Sequence, residues 1–244
     1  PVGDCLVMEG FARLALARRP DPGDARLAGA EQIAPHLARQ LLKAPASRVT
    51  SSLDAGVQRV ARQALTRHLG LLAGRHVEDG AVLVLDNRSG EVLAWVGSSG
   101  ALSSAAAVDG VTALRQAGST LKPFVYGLAL EQRLLTAASL LDDSPVDLAT
   151  TSGLYIPQNY DHRYKGAVSL RAALGASLNI PAVRTLVMVT PDALFERMRA
   201  LGFDSLKLSG DYYGYSLALG SADISLLALT NACLLYTSPS PRDS

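Results

Sequence analysis

The sequence is poor in the residues that would indicate a disulfide framework, a metal site or a membrane span. Among its 244 residues are only two cysteines, Cys5 and Cys233, which lie near opposite ends and match no Cys-x-x-Cys spacing. His36, His68 and His76 show no metal-ligand spacing. No run approaches about 18 consecutive apolar residues, so no membrane-spanning helix is predicted. A metal- or cofactor-dependent function is therefore not indicated.

An excess of charge of either sign is also missing. The 23 Lys and Arg residues nearly balance the 22 Asp and Glu residues, which leaves a formal net charge of +1. Without a basic stripe, nucleic acid is not an expected partner. Hydrophobic residues make up 48% of the chain, which argues against disorder and allows one large domain or two small ones.

The two ends of the chain differ from the pattern between them. Residues 1–4 include neither an initiator Met nor the start of a signal peptide, and residues 235–244 form a Ser/Pro-rich tail. We therefore expect a fragment of a longer protein. Its predicted parts are a connector or domain remnant over 1–47, a main domain over 48–232 and a foreign or disordered tail over 233–244.

The apolar pattern predicts a mixed α/β (α+β) fold, mostly helical around one hairpin. Two near-continuous apolar runs, 81–86 and 91–97, predict antiparallel strands buried on both faces, with Trp95 in the core. Two strands are marginal alone, so the hairpin needs partners in a larger antiparallel sheet. A short strand is predicted over 48–53, and a long irregular stretch over 139–168. Helices are predicted over 5–18, 27–43 and 55–69, from Ser119 to about Leu135, from Ser169 to about Ala176, from Pro181 onward, and from Thr190 to Gly202.

Ser119 and Lys122 stand three residues apart where a helix is predicted to begin. This spacing places a hydroxyl and an amine on one helix face, within hydrogen-bond reach. Lysine can accept a serine proton only when burial or a nearby cation lowers its pKa, and the first turn of an apolar helix offers burial and positive potential. Pro123 is tolerated only if the serine lies in that first turn. The pair predicts an activated serine nucleophile, although a Ser-x-x-Lys arises by chance in roughly a third of shuffled sequences.

The sequence Ser177-Leu178-Asn179 supports this interpretation. It lies at a predicted break between two helices, from which both polar side chains can project into a cleft. A second hydroxyl could relay a proton between the lysine and a leaving group, and an amide could hold a substrate carbonyl. The alternative for Ser119 and Lys122 is a helix cap with a solvated lysine. For Ser177 and Asn179 it is capping between the two helices, which does not exclude catalysis.

Three segments carry these motifs in order: GSTLKPFVYG at 118–127, PQNYD at 157–161 and RAALGASLNIPAV at 171–183. Together they resemble the transpeptidase domain of class A penicillin-binding proteins, most closely the 1C subfamily. The resemblance covers roughly residues 34–232 and implies that residues 1–33 are the end of a glycosyltransferase module and its connector. Leu178 favours a transpeptidase over a class A β-lactamase, which usually carries Asp at that position.

The resemblance implies a role for each motif residue. Ser119 would attack the penultimate D-alanine carbonyl of a peptidoglycan stem peptide, forming an acyl-enzyme and expelling the terminal D-alanine. Lys122 would be the general base, Ser177 the proton relay and Asn179 a contact to the substrate amide. The implied partners are lipid-linked precursor, nascent glycan and β-lactams, with no cofactor. The implied location is the periplasmic face of the bacterial inner membrane, held by an N-terminal anchor that this sequence lacks.

One expected element of the family is not found in the sequence. The third motif, a Lys-Thr-Gly-like strand, would lie beyond residue 232, so we expect the chain as given to be inactive or nearly so although its parent is an enzyme. Two other functions stay open: a sensor that binds stem peptides or β-lactams without turnover, and a helical α/β domain whose motifs are coincidental. Asn159, Tyr160 and Asp161 are expected to shape a loop rather than touch substrate, and His162 is expected to be exposed.

Overall fold

A computed structural model describes residues 33–44, 48–150 and 153–237 as helices, short strands and connecting turns. The helices are, in chain order, α1 (Pro35–Leu41), α2 (Ala55–Leu71), α3 (Lys122–Glu131), α4 (Leu170–Gly175), α5 (Asn179–Val189), α6 (Pro191–Ala200), α7 (Gly210–Tyr213) and α8 (Leu226–Thr237). The strands are β1 (Val82–Leu85), β2 (Val92–Val96), β3 (Arg115–Gln116), β4 (Leu140–Asp143), β5 (Leu148–Thr150), β6 (Gly153–Tyr155), β7 (Gly166–Ser169) and β8 (Asp223–Ile224). The predicted mixed α/β class, mostly helical, is confirmed.

The chain divides into two compact units. One comprises residues 1–114 together with 225–244, and the other comprises residues 115–224. The hairpin β1–β2 lies in the first unit, and all four predicted site residues lie in the second. Helix α8 extends to Thr237, so the first part of the tail predicted over 233–244 is helical.

The predicted hairpin is confirmed in the first unit. Strands β1 and β2 pair antiparallel, with Leu83 opposite Trp95. Trp95 is 1% exposed and packs with Leu37 of α1 and with Val111. Four of the five residues of β2 are buried, whereas β1 is half-buried throughout, so the prediction of burial on both faces holds only for β2.

Helix α2 covers the hairpin and confirms the helix predicted over 55–69. Asp54 starts it, because its side chain accepts a hydrogen bond from the Val57 N–H at 2.8 Å. Ala61 of the helix packs against Ala94 and Val96 of β2. The small alanine side chains let the helix lie close to the strand.

A glutamine side chain of α2 forms the hydrogen bonds that a neighbouring strand would form at the outer edge of β2, the edge that faces away from β1. The fully buried Gln58 accepts a hydrogen bond from the Trp95 N–H at 2.7 Å and donates one to the Trp95 carbonyl at 2.9 Å. A carboxamide carries the same donor and acceptor as a peptide group, so it satisfies both backbone groups of this buried residue. Two positions earlier, the Leu93 carbonyl accepts from the Asp54 N–H at 3.0 Å.

The short strand predicted over 48–53 is wrong, and the same contacts explain why. At that edge of the hairpin, β2 is bonded by one backbone amide and by side chains, among them the Ser52 hydroxyl, which donates to the Val92 carbonyl at 2.9 Å. No continuous ladder forms there, although the β-branched content of 48–53 suits a strand.

Two helices are predicted before residue 48. The helix predicted over 5–18 lies outside the described residues. Of the helix predicted over 27–43, the structure describes the part from residue 33 onward, in which α1 is helical.

In the second unit, the stretch predicted as irregular over 139–168 is partly wrong. It contains two antiparallel pairs, β4 with β7 and β5 with β6. Each strand has only three or four residues, which is too short for apolar alternation to reveal it. The β4–β7 pair carries Asp143 to its end, opposite Gly166.

The two helix starts predicted from hydroxyl caps are confirmed. The Ser169 hydroxyl accepts from the Ala172 N–H at 3.2 Å at the start of α4. The Thr190 hydroxyl accepts from the Ala193 N–H at 3.3 Å at the start of α6. Gly202 follows α6 with a φ of +89°, the left-handed conformation that ends many helices.

Two predicted helix ends are displaced. Helix α5 begins at Asn179 rather than at Pro181, because a proline in the third position is still within the first turn, where amides lack helical partners. Helix α3 ends at Glu131 rather than near Leu135, and Arg133 adopts a φ of +59°. A positive φ is incompatible with continuing a right-handed helix.

The helices of the second unit surround one apolar core. Helix α3 packs against α5 and α6, and Phe124 meets Phe203 edge to face with ring centroids 5.6 Å apart. Both rings are nearly completely buried. This apolar packing holds α3, which carries Lys122, against α5, which begins two residues after Ser177.

Candidate active site

The candidate nucleophile lies in a tight turn directly before α3. Residues Gly118–Leu121 form a 3-10 turn, and Lys122 is the first residue of the helix. Pro123 comes second, where a missing N–H removes no helical hydrogen bond. Ser119 is exposed, whereas Lys122 is completely buried. The helix predicted from Ser119 therefore begins three residues later, at Lys122, and the serine lies in the turn that leads into it.

Three oxygen atoms surround the amine of Lys122. Its Nζ lies 2.6 Å from the Ser177 carbonyl oxygen, 3.1 Å from Ser177 Oγ and 2.6 Å from Asn179 Oδ1. The structure therefore brings three of the four predicted site residues into contact. Ser119 lies on the same turn as Lys122, but its hydroxyl makes no hydrogen bond to this amine within the part of the chain that the structure describes.

Burial changes the acid–base behaviour of the amine. Removal from water lowers the pKa of Lys122 to about 8, because the charged form loses its hydration. An ammonium donates three hydrogen bonds, which matches the three oxygens. A neutral amine donates two and accepts one, and of the three partners only the Ser177 hydroxyl can donate. The arrangement therefore fits both protonation states if the Ser177 hydroxyl reverses its direction.

Ser177 occupies a position at which glycine is the usual residue. Its φ of +54° is left-handed, and its N–H donates to the Leu174 carbonyl at 3.0 Å. The Leu178 N–H donates to the Ala173 carbonyl at 2.9 Å. This pair of bonds is a Schellman motif at the end of α4, in which a glycine avoids the cost of the left-handed conformation. The chain tolerates a serine here, and the serine hydroxyl contacts Lys122.

Replacing Ser177 by Gly and by Ala measures the cost of the left-handed backbone at this serine. Both variants lose the hydroxyl that contacts Lys122. Only the Gly variant relieves the left-handed backbone, so it should be about 1 kcal/mol more stable than the Ala variant. Urea unfolding of the two variants measures this difference. An Ala variant as stable as the Gly variant would contradict the assignment of strain to this residue.

The loop before α4 reaches the start of α5. The Asn159 side chain is 3% exposed and its Oδ1 accepts from the Asn179 N–H at 2.8 Å. The neighbouring Gln158 carbonyl accepts from Asn179 Nδ2 at 2.8 Å. Sequence reasoning placed Asn159 in a loop but did not predict this contact, because it joins residues twenty positions apart in the chain.

A second contact that the sequence analysis missed lies beside the serine turn. The Gly118 N–H donates to the Gly220 carbonyl at 3.2 Å, and short strands β3 and β8 pair next to it. Gly220 has a φ of +77°, and a Cβ built on it would lie 2.1 Å from the Gly118 carbonyl oxygen. Only glycine fits this approach. No local pattern links the two glycines, so the sequence alone offers no signal for the pair.

Among the described residues, no other ionisable side chain bonds to the Lys122 amine. His162 is exposed on its loop, as predicted. Within residues 33–44, 48–150 and 153–237, no group of three or more His, Cys, Asp or Glu side chains is arranged to hold a metal ion. In the same residues, none of the helices combines the length and the apolar character that crossing a membrane requires.

Comparison with known proteins identifies relatives of this chain. Residues 80–237 match the penicillin binding protein transpeptidase domain family. Penicillin-binding protein 1C of Escherichia coli is 37% identical over 198 residues, which cover 80% of this chain and 25% of that protein. The chain thus spans a quarter of the length of this relative.

Solved structures give the same result. Penicillin-binding protein 1A from Haemophilus influenzae is 33% identical, with a TM-score of 0.57 over 65% of this chain and 23% of that one. The PonA1 protein from Mycobacterium tuberculosis in complex with penicillin V is 25% identical, with a TM-score of 0.62 over 77% of this chain and 50% of that one. The family match, the identity to relatives and the shared fold agree: this chain belongs to the penicillin-binding protein transpeptidase family.

Proposed function

We propose that this chain carries the acyl-transfer site of a serine D,D-transpeptidase that acts on peptidoglycan stem peptides and is acylated by β-lactams. The observation that carries the proposal is the buried Lys122 amine, held by Ser177 and Asn179 one helical turn from Ser119. A lysine with a pKa of about 8 is partly neutral near pH 7 and can therefore accept a proton.

In the proposed first step, Lys122 Nζ takes the proton of the Ser119 hydroxyl as Oγ attacks the penultimate D-alanine carbonyl. Oγ gains a bond to the carbonyl carbon, and the carbonyl oxygen becomes an oxyanion near the positive end of α3. The Ser119 side chain has to rotate toward Nζ for this transfer, and such contacts often form only when substrate binds. Its exposure leaves it free to do so.

In the second step, the tetrahedral intermediate collapses and the bond to the terminal D-alanine nitrogen breaks. That nitrogen needs a proton. The Ser177 hydroxyl can accept a proton from Lys122 and donate its own proton to the leaving nitrogen, because a hydroxyl is both an acceptor and a donor. The acyl group stays on Ser119 until the amine of a second stem peptide attacks. Asn179 is proposed to contact the backbone amide of the substrate. The proposed location is the periplasmic face of the inner membrane.

Penicillin labelling tests the proposal. Because the chain spans a quarter of its E. coli relative, we would express the complete product of the gene that contains it alongside the chain itself. We expect the complete product to bind a fluorescent penicillin covalently, with the label on the peptide that contains Ser119, and to release D-alanine from a pentapeptide. Ser119→Ala should abolish both signals.

One control variant and two contrary outcomes make this test decisive. Ser103→Ala removes a serine hydroxyl of the first unit and should leave labelling unchanged. Label that persists in Ser119→Ala, or that maps to another residue, would overturn the proposed nucleophile. Labelling of the complete product without D-alanine release would favour a sensor over a transpeptidase.

A further inference from the structure

Helix α5 begins without a side-chain cap from its own N-terminal segment. Its N-cap residue is Leu178, which has no polar side chain. Its neighbours Ser177 and Asn179 are residue types that commonly cap helices, but both side chains contact Lys122 instead. The first amides of the helix therefore need an acceptor from elsewhere in the chain.

Asn159 supplies that acceptor. Its Oδ1 lies 2.8 Å from the Asn179 nitrogen and 3.5 Å from the Ile180 nitrogen, the first two amides of α5. The adjoining Gln158 carbonyl accepts from Asn179 Nδ2 at 2.8 Å. Since this bond turns the NH₂ end of the Asn179 amide toward Gln158, the oxygen end faces Lys122. Residues 158 and 159 thus fix both the backbone and the side chain of Asn179.

Asp143 in turn fixes the direction of the Asn159 amide. Its carboxylate is completely buried and accepts from Asn159 Nδ2 at 2.8 and 3.0 Å and from the Lys165 N–H at 2.9 Å. A carboxylate only accepts, so it requires the NH₂ end of Asn159. The Arg163 carbonyl accepts from the same Nδ2 at 2.8 Å. The Asn159 oxygen is therefore left to face α5.

We propose that Asn159 is a positioning residue of the acyl-transfer site, acting as a remote N-cap of α5, and that Asp143 sets its orientation. This inference rests on the proposed function. The remote cap leaves the side chains of Ser177 and Asn179 available to Lys122. Without it, those side chains are the nearest replacement caps for the exposed amides, and capping would draw them away from the amine.

The test measures the second-order rate constant for acylation of the complete gene product by a fluorescent penicillin. We expect Asn159→Ala to lower it about 10- to 100-fold, as loss of a residue that orients an active-site group commonly does. Asn159→Asp should also lower it, because two carboxylates would face each other. Combining Asn159→Asp with Asp143→Asn restores a donor facing an acceptor between these two positions, but the Arg163 carbonyl still lacks the Nδ2 donor. The rate should therefore rise clearly above that of Asn159→Asp without reaching the wild-type value.

Controls separate positioning from folding and from the proposed function. Asp147→Asn makes the same chemical change as Asp143→Asn at an exposed position of the same unit, and should leave the rate unchanged. Thermal unfolding monitors the fold of each variant. A wild-type protein that does not label overturns the proposed function itself. A labelling wild type with a folded Asn159→Ala variant within twofold of its rate overturns only the positioning role.

The exchange of the pair decides the outcome even if Asn159→Ala does not fold. A residue needed only for stability would show recovery of the unfolding temperature in the double variant without recovery of the rate. Equal acylation rates in Asn159→Asp and in the double variant would therefore reject the proposal. Recovery of the rate supports it.

Discussion

Replacing Lys122 by Arg should slow acylation by penicillin about 10²- to 10⁴-fold, the range that a general base contributes. A guanidinium stays protonated at every pH at which the protein is folded, so it cannot accept the Ser119 proton. It retains positive charge and hydrogen-bond donors, so Ser177 and Asn179 keep a cationic partner. A large loss of rate would therefore report the missing base rather than a missing charge.

The pH dependence of the wild-type protein provides the second part of this test. Because burial lowers the pKa of Lys122 to about 8, the neutral fraction is about one tenth at pH 7 and falls tenfold for each pH unit below that. The acylation rate constant should rise with pH and level off above about pH 8. A lysine of ordinary pKa would give a rate that is still rising at pH 9.

Lys207→Arg is the matched control for this substitution. Lys207 is an exposed lysine of the same unit, so the change should leave both the rate and the pH profile as they are in wild type. A Lys122→Arg variant that acylates within tenfold of wild type, or a rate that is flat between pH 6 and pH 8, would contradict the assignment of Lys122 as the base.

Gly220→Ala should have the second large effect, both on stability and on acylation. A Cβ at this position would lie 2.1 Å from the Gly118 carbonyl oxygen and 2.2 Å from the Gly118 nitrogen. A carbon atom cannot lie this close to backbone atoms that are not bonded to it, so one of the two backbone segments has to move. Gly118 directly precedes Ser119, and a displacement of about 1 Å at a nucleophile costs about 100-fold in rate. We expect at least that loss, together with a destabilisation of about 3 kcal/mol or more.

Gly202→Ala is the control that isolates the steric effect. Gly202 also has a left-handed φ, +89°, but a Cβ there would have no atom within 4 Å. The change should therefore cost only the conformational term, about 1–2 kcal/mol, and should leave acylation intact. Urea unfolding and the labelling rate compare the variants. A Gly220→Ala variant no less stable than Gly202→Ala would show that the turn before Ser119 does not depend on this contact.

Local contacts of the site could be predicted from the sequence, and distant ones could not. Helical spacing put Ser119 and Lys122 on one turn, and the hydroxyl cap at Ser169 marked the start of α4, because each depends on neighbours a few positions away. The bonds from Asn159 to the start of α5 and from Gly118 to Gly220 depend on how the chain folds back on itself. No periodicity or spacing encodes such pairs in a single sequence.

The strand predicted over 48–53 is wrong because a side chain forms hydrogen bonds that strand backbone usually forms. Residues 48–53 have the composition of a strand, yet the outer edge of β2 is bonded by Gln58 and by the Asp54 amide. A glutamine in an amphipathic helix is normally expected to face water, so its burial against Trp95 could not be foreseen. Only the packed hairpin shows which glutamine of α2 is buried.

The placement of Gln58 also determines which edge of the hairpin can pair with a further strand. An unpaired strand edge invites association with other chains, and proteins protect such edges in several ways. Here a single carboxamide occupies the backbone groups of Trp95, so another strand cannot add beside β2 without expelling a buried side chain. Any further strand of the sheet would have to pair with β1, and aggregation through the outer edge of β2 is blocked.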